Sequence, residues 1–238
     1  MHTLAVISRK GGVGKTTLSV NLAVAAHHSG LKSIVADLDS QRSATAWAKA
    51  RSAPGPVVLE TNAGKLFPLW SAAVNSQCEL MILDTPANAE AETLQAIRLA
   101  DLCILVSRPN YFDIAALARS VELIRQFDKP GLIVLNQAPA RRNGLEPEAV
   151  LSAVRSLRLY GVPLARIGMR HRAGFPSSAA RGLGVQEHDR DGRAAREVEG
   201  VWAQIRDMLG KSPHRDIHPG ILPATVAIRG EIGLPAVG

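Results

Sequence analysis

Aromatic residues are scarce in this chain, at 4% of 238 residues, although apolar residues as a whole reach 46%. A core with so few rings must be filled by Val, Ile, Leu and Ala. That suits parallel strands buried on both faces and covered by alanine-rich helices. Cysteine is nearly missing too. Cys78 and Cys103 both sit in apolar surroundings and read as reduced thiols of a cytosolic core, not as a disulfide framework. No apolar run reaches the roughly 18–20 residues a bilayer span requires, and the first residues carry no signal-peptide pattern, so the expected setting is cytoplasmic. Acidic residues are the minority charge, 21 against 28 Lys and Arg, for a net +7. The imbalance is local: residues 138–215 hold 14 Lys or Arg against 8 Asp or Glu. A basic excess confined to one third of a chain points to a polyanionic partner, with a merely solvated surface as the bland alternative.

What is present is a repeating order. "HTLAVIS" (2–8), "SIVADL" (33–38), "PVVLE" (56–60), "LMILDT" (80–85), "LCILVS" (102–107), "GLIVLN" (131–136) and "ARIGM" (165–169) read as strands. Between them, 16–29, 42–52, 64–76, 89–99, 113–127 and 146–158 have helical apolar spacing, and two more helices are expected near 175–182 and 191–210. Repeated strand–helix–strand order predicts an α/β domain over 1–210, a mostly parallel twisted sheet with helices on both faces. From residue 211 to 238, four prolines and four glycines in 28 residues leave no useful periodicity, and a loosely ordered tail is expected.

Between the first strand and the first helix stands "RKGGVGKTT" (9–17). Gly11, Gly12 and Gly14 let backbone N–H groups converge on an anion without Cβ obstruction, and the helix N-terminus adds its dipole. Lys15 would reach the β- and γ-phosphates, and the Thr16 hydroxyl would ligate Mg²⁺. Val13 and Thr17 complete the cradle. One lysine suffices to hold a phosphate, so Lys10 needs a separate reason.

"KGGVGKTT" resembles the deviant Walker A motif of the ParA/MinD family of P-loop ATPases, and the resemblance covers about residues 1–210. It implies that Lys10 is a signature lysine reaching the phosphates of a nucleotide held by the other subunit of a homodimer. A cation supplied in trans stabilises the charge that spreads over the γ-phosphate in the transition state. "DLDSQRSATAW" (37–47) matches the family's second segment. There Asp39 would orient the attacking water and join Thr16 and Asp84 at the metal, and Asp37 would support the loop. Ser40 and Arg42 depart from the usual Pro and Gly, which makes Arg42 a new cation near the site. "LMILDTPAN" (80–88) has the Walker B form, with Asp84 holding Mg²⁺ through water and Thr85 to Asn88 as a switch segment. Asn136 matches the asparagine that recognises adenine. "FPSSAARGLGVQE" (175–187) resembles the segment closing over the base, so Phe175 and Pro176 would line that pocket. In "VSRPNYFDI" (106–114), Pro109 and Asp113 are expected to be structural, with Asp113 capping the next helix. The expected cofactors are ATP or ADP with Mg²⁺.

The first strand begins at residue 3, so no N-terminal helix-turn-helix domain is expected, which resembles the small partition type. Pro213, Pro219 and Pro223 interrupt any amphipathic C-terminal helix of the kind that anchors a MinD-like protein to a membrane. The resemblance implies partition of a plasmid or chromosome. An ATP-bound dimer would bind nucleoid DNA without sequence preference, and a ParB-like centromere-binding or adaptor protein would stimulate hydrolysis and release. Arg170, Arg172, Arg190, Arg193 and Arg196 are the candidate phosphate contacts, arginines without interleaved aromatics. The alternatives are a ParA-like ATPase positioning another cargo, such as a microcompartment or chemoreceptor cluster, and a catalytically silent nucleotide-binding scaffold.

Overall fold

The computed structural model describes residues 1–211. The tail expected after Gly210 therefore lies, but for Lys211, outside the described residues. Six strands form one parallel sheet: β1 (His2–Ile7), β2 (Ser33–Asp37), β3 (Val57–Glu60), β4 (Leu80–Asp84), β5 (Leu102–Ser107) and β6 (Gly131–Leu135), in the order β3-β2-β4-β1-β5-β6. The helices are α1 (Lys15–His28), α2 (Ser43–Lys49), α3 (Ala63–Asn75), α4 (Glu90–Leu99), α5 (Tyr111–Gln126), α6 (Glu148–Arg158), α7 (Gly174–Ala179), α8 (Val185–His188) and α9 (Arg193–Lys211).

Strand alternation divides the core into two layers. Leu4 and Val6 of β1 pack with α1 and α9, whereas Ala5 and Ile7 of the same strand pack with α3, α4, α5 and α6. Both faces are covered, which is why β1, β4 and β5 read as unbroken apolar runs rather than alternating ones. The first helix follows the same logic. Residues Leu18 to Ala26 of α1 are all buried, because the helix lies between the sheet and α9, and a helix covered all round needs no polar stripe.

Two expectations need correction. The seventh strand, 165–169, does not form. The chain runs beside β6, donating from Ala165 to Ile133 O at 2.8 Å and from Met169 to Leu135 O at 2.9 Å, but only isolated bridges result. Gly168 permits this close approach, because a Cβ there would stand 2.7 Å from Leu135 O. Asp113 is not the cap of α5. Asn110 is, accepting from Asp113 N at 2.9 Å, while the Asp113 carboxylate sits in the first turn and pairs with Arg108 at 2.5 Å. The short helix α8 was not anticipated, since four residues are too few to show a period.

Candidate functional site

All the elements that matter end on one edge. The C-terminal ends of β1, β2 and β4 are adjacent, with Val6 opposite Asp84 and Asp37 opposite Asp84 in register. The loops leaving these ends line a cleft of about 600 Å³. Gly11, Gly12 and Gly14 come from the glycine loop, Lys15 and Thr16 from the start of α1, Asp39 to Gln41 from the loop after β2, Ser43 from the start of α2, and Pro86 to Ala89 from the loop after β4. Ligand sites at strand C-termini are the rule for such sheets.

The glycine loop needs its glycines for different reasons. Gly12 and Gly14 have φ of 71° and 90°, which side chains resist. Gly14 is also crowded: a Cβ would stand 2.2 Å from Asn136 Nδ2. Lys15 is 7% exposed, and its Nζ donates to Lys10 O at 3.4 Å. Burial lowers its pKa, with Asp84 and Asp39 pulling the other way. Asp84 is fully buried. Burial pushes its carboxyl up to about 7, against the opposing pull of Thr16, Ser19 and Lys15. Its Oδ1 accepts from Ser19 Oγ at 3.0 Å, and its Oδ2 is buried without a partner among the described residues. An unpaired carboxylate oxygen beside the Thr16 hydroxyl is a donor set suited to a hard divalent cation and its waters. Thr16 and Asp84 therefore fit Mg²⁺, whereas the half-buried Asp39 is held differently, its Oδ1 accepting from Gln41 N at 3.0 Å.

Asp37 supports its loop as expected. It accepts from Thr45 N at 2.9 Å, Thr45 Oγ1 at 2.8 Å and Asp39 N at 3.2 Å. Lys10 is half-buried, and its ammonium has no partner among the described residues. Val13 is fully buried and Thr17 half-buried. Asn136 donates through Nδ2 to Val13 O at 2.7 Å, so it grips the loop. Arg42 does not face the cleft. Its guanidinium turns inward to Asp37 O at 2.7 Å and Thr61 O at 3.1 Å.

The base-covering and basic residues are distributed otherwise than expected. Phe175 is buried in the core layer of α1 and α9, and Pro176 is exposed. Neither lines the cleft, because α7 turns its apolar Phe175 inward. Arg170 clamps Glu146 at 2.6 and 2.8 Å and donates to Pro139 O, and Arg172 is paired with Glu197. Both are spent on internal partners and are not free phosphate contacts. Arg190, Arg193 and Arg196 are exposed, and among the described residues only the Arg196 guanidinium is bonded, to Asp191 O. Sequence reasoning missed Ser19 and Gln137. Ser19 lies four residues after Lys15, hence on the same helix face, and could have been found. Gln137 offered only its place after β6.

The model of the CobQ/CobB/MinD/ParA nucleotide binding domain matches residues 4–185. The chain belongs to the ParA/MinD family of P-loop ATPases. Within the family, it is 31% identical over 214 residues to Maintenance of carboxysome distribution protein A of Gloeobacter kilaueensis, spanning 88% of this chain and 94% of that one. The protein of that name from Halothiobacillus neapolitanus is 28% identical over 85% of this chain and 95% of its own. An ATP complex of a substituted McdA from Cyanothece superposes with a TM-score of 0.69 at 14% identity, covering 88% and 96% of the two chains. This last likeness concerns the fold. Among the described residues no helix is long and apolar enough to cross a membrane.

Proposed function

We propose that this chain is an ATPase that positions a protein microcompartment, not a plasmid or chromosome. The observation that carries the reading is the likeness to carboxysome-distribution proteins across nearly the whole of both chains. Partition, the primary expectation above, gives way to the cargo-positioning alternative.

In this reading the backbone N–H groups of Gly11 to Thr17 and the buried Lys15 hold the ATP phosphates. Thr16 and Asp84 hold Mg²⁺, which neutralises phosphate charge when bound. Asn136, 3% exposed and bonded to Val13 O and Gln137 N, serves the loop rather than adenine. Lys10, whose ammonium has no partner among the described residues, serves the nucleotide of a second copy. Asp39 orients the attacking water through the oxygen that Gln41 leaves open. Dimerisation also doubles the exposed arginines Arg190, Arg193 and Arg196 presented to a polyanion. Non-specific duplex DNA of the nucleoid is the proposed track, and an adaptor protein that speeds hydrolysis releases it.

The test compares wild type with Lys10→Ala for ATP turnover and for mass by light scattering. Wild type is expected to dimerise with ATP and to hydrolyse it. Lys10→Ala should lose about 10²- to 10³-fold in turnover, the cost of removing one transition-state donor, while single-subunit ATP affinity changes little. Equal turnover would remove Lys10 from the chemistry, and wild type that binds but never hydrolyses ATP would favour the silent scaffold. Deleting the gene and imaging the cell decides the cargo: clustered microcompartments support the reading, and plasmid loss with evenly spaced microcompartments overturns it.

A further inference from the structure

The geometry points to Gln137 as a positioning residue that holds the phosphate loop open for its anion; this rests on the reading of that loop as a phosphate cradle. Gln137 Nε2 donates to Gly12 O at 2.8 Å, and the preceding Asn136 Nδ2 donates to Val13 O at 2.7 Å. Two consecutive loop carbonyls are thus gripped by two consecutive side chains. In a trans peptide the C=O and the following N–H point in opposite directions. Fixing Gly12 O therefore fixes where the Val13 N–H points, and fixing Val13 O does the same for Gly14 N–H. The cleft is lined by Gly11, Gly12, Gly14, Lys15 and Thr16 but by neither Asn136 nor Gln137. Because neither gripping residue lines the cleft, the direction of both N–H groups is set from outside it.

The backbone at Gln137 supports the assignment. Its φ is 52°, a left-handed conformation that a side chain other than Gly, Asn or Asp adopts at a cost. The Asn136 Oδ1 accepts from Gln137 N at 2.8 Å and holds that turn in place. Strained backbone of this kind persists where its surroundings dictate it, and it gathers at ligand clamps. An anion nest assembled before the nucleotide arrives spares the loop the ordering that binding would otherwise require.

The experiment measures ATP and ADP affinity of the full chain by calorimetry for wild type, Gln137→Met, Gln137→Glu and Lys15→Ala. Met keeps the length and lacks the donor. Glu keeps the shape and sets a carboxylate against Gly12 O. Loss of one neutral hydrogen bond predicts about 3- to 10-fold weaker binding of both nucleotides in Gln137→Met, and about 10-fold or more in Gln137→Glu. The loss should fall on KM rather than kcat, since the loop grips ground and transition states alike. Amide exchange at Val13 and Gly14 should quicken in both variants while the unfolding midpoint stays put, which a merely structural role would not produce. If Lys15→Ala loses ATP and both Gln137 variants bind it as wild type does, the positioning role is overturned. If Lys15→Ala binds ATP normally, the phosphate-loop reading fails and takes this proposal with it.

Discussion

The glycine loop and the arginine-rich segment after β6 were both read from charge and spacing, and the structure treats them differently. At the loop, Lys15, Thr16 and Asp84 come together because three adjacent parallel strands end at one edge, and each strand's length is fixed by its apolar run. In the segment, Arg170 and Arg172 are drawn into Glu146 and Glu197, partners 24 and 25 residues away in the chain. A motif whose geometry is carried by local backbone survives the passage from sequence to structure. A charge count does not, because pairing is decided by tertiary neighbours. Charge along a chain is therefore not charge on a surface.

The largest test of this contrast exchanges the two sets of arginines. Arg170→Ala with Arg172→Ala should lower stability by about 2–4 kcal/mol, as charged hydrogen bonds at mostly buried sites are removed and Glu146 and Glu197 lose their partners. Arg190→Ala, Arg193→Ala and Arg196→Ala together should leave stability within about 1 kcal/mol, since surface substitutions cost little. Under the proposed function they should instead flatten the log–log salt dependence of DNA binding by about 5 for the dimer. Chemical denaturation and a salt titration of DNA binding make the comparison. Should the first pair of changes flatten the slope at unchanged stability, the two roles are reversed.

Much of the fold was legible because its signals are repetitive. The six strands of the sheet and the α/β order follow from apolar runs alternating with alanine-rich helical spacing. The strand expected at 165–169 came only to isolated bridges, with Gly168 so near β6 that a Cβ would stand 2.7 Å from Leu135 O, a contact no local pattern announces. The placement of the glycine loop, Asp37 and Asp84 at one sheet edge was legible from motif and register. Phe175 was not, since a ring beside a loop and a ring in a core look alike in sequence. Nor was the Arg51–Glu187 pair, which spans 136 residues and ties the end of α2 to α8. Gln137 was invisible for the same reason: its partner lies 125 residues away.

A pH titration sharpens the same contrast at Glu146. Arg170 first, and then Arg141, hold its carboxyl down to about 2 from an ordinary 4.5. A depressed carboxyl contributes stability that is fully present above pH 4.5 and is lost as pH falls toward 2. After allowance for solvent screening at this pair, whose carboxylate side chain is 18% exposed, the contribution should be about 1 kcal/mol. Glu146→Gln should remove that part of the pH dependence and weaken the protein at pH 7 more than at pH 2. Identical acid profiles for wild type and Glu146→Gln would mean that Arg170 is free in solution, and would return it to the candidate DNA face.

The smallest effect lies inside the phosphate edge itself, where Arg42 breaks the tidy division between the two regions. Its sequence position suggested a cation near the nucleotide, yet it behaves like Arg170, donating to Asp37 O and Thr61 O and lying 3.5 Å from Glu60. Its backbone is left-handed, with φ 52° and ψ 39°, at the place where the resembled motif has glycine. Two opposing contributions follow. The conformation costs a residue with a Cβ about 1 kcal/mol, and the hydrogen bonds to two carbonyls return about as much or more. Arg42→Gly removes both and should change stability by less than about 1 kcal/mol. Arg42→Ala keeps the strain and loses the bonds, so it should cost about 1–2 kcal/mol. The difference between the two variants isolates the backbone strain, and denaturant midpoints with unchanged slopes measure it. ATP affinity should be nearly the same in both, because the guanidinium points away from the cleft. A clear loss of ATP affinity in both variants would place Arg42 at the phosphates after all.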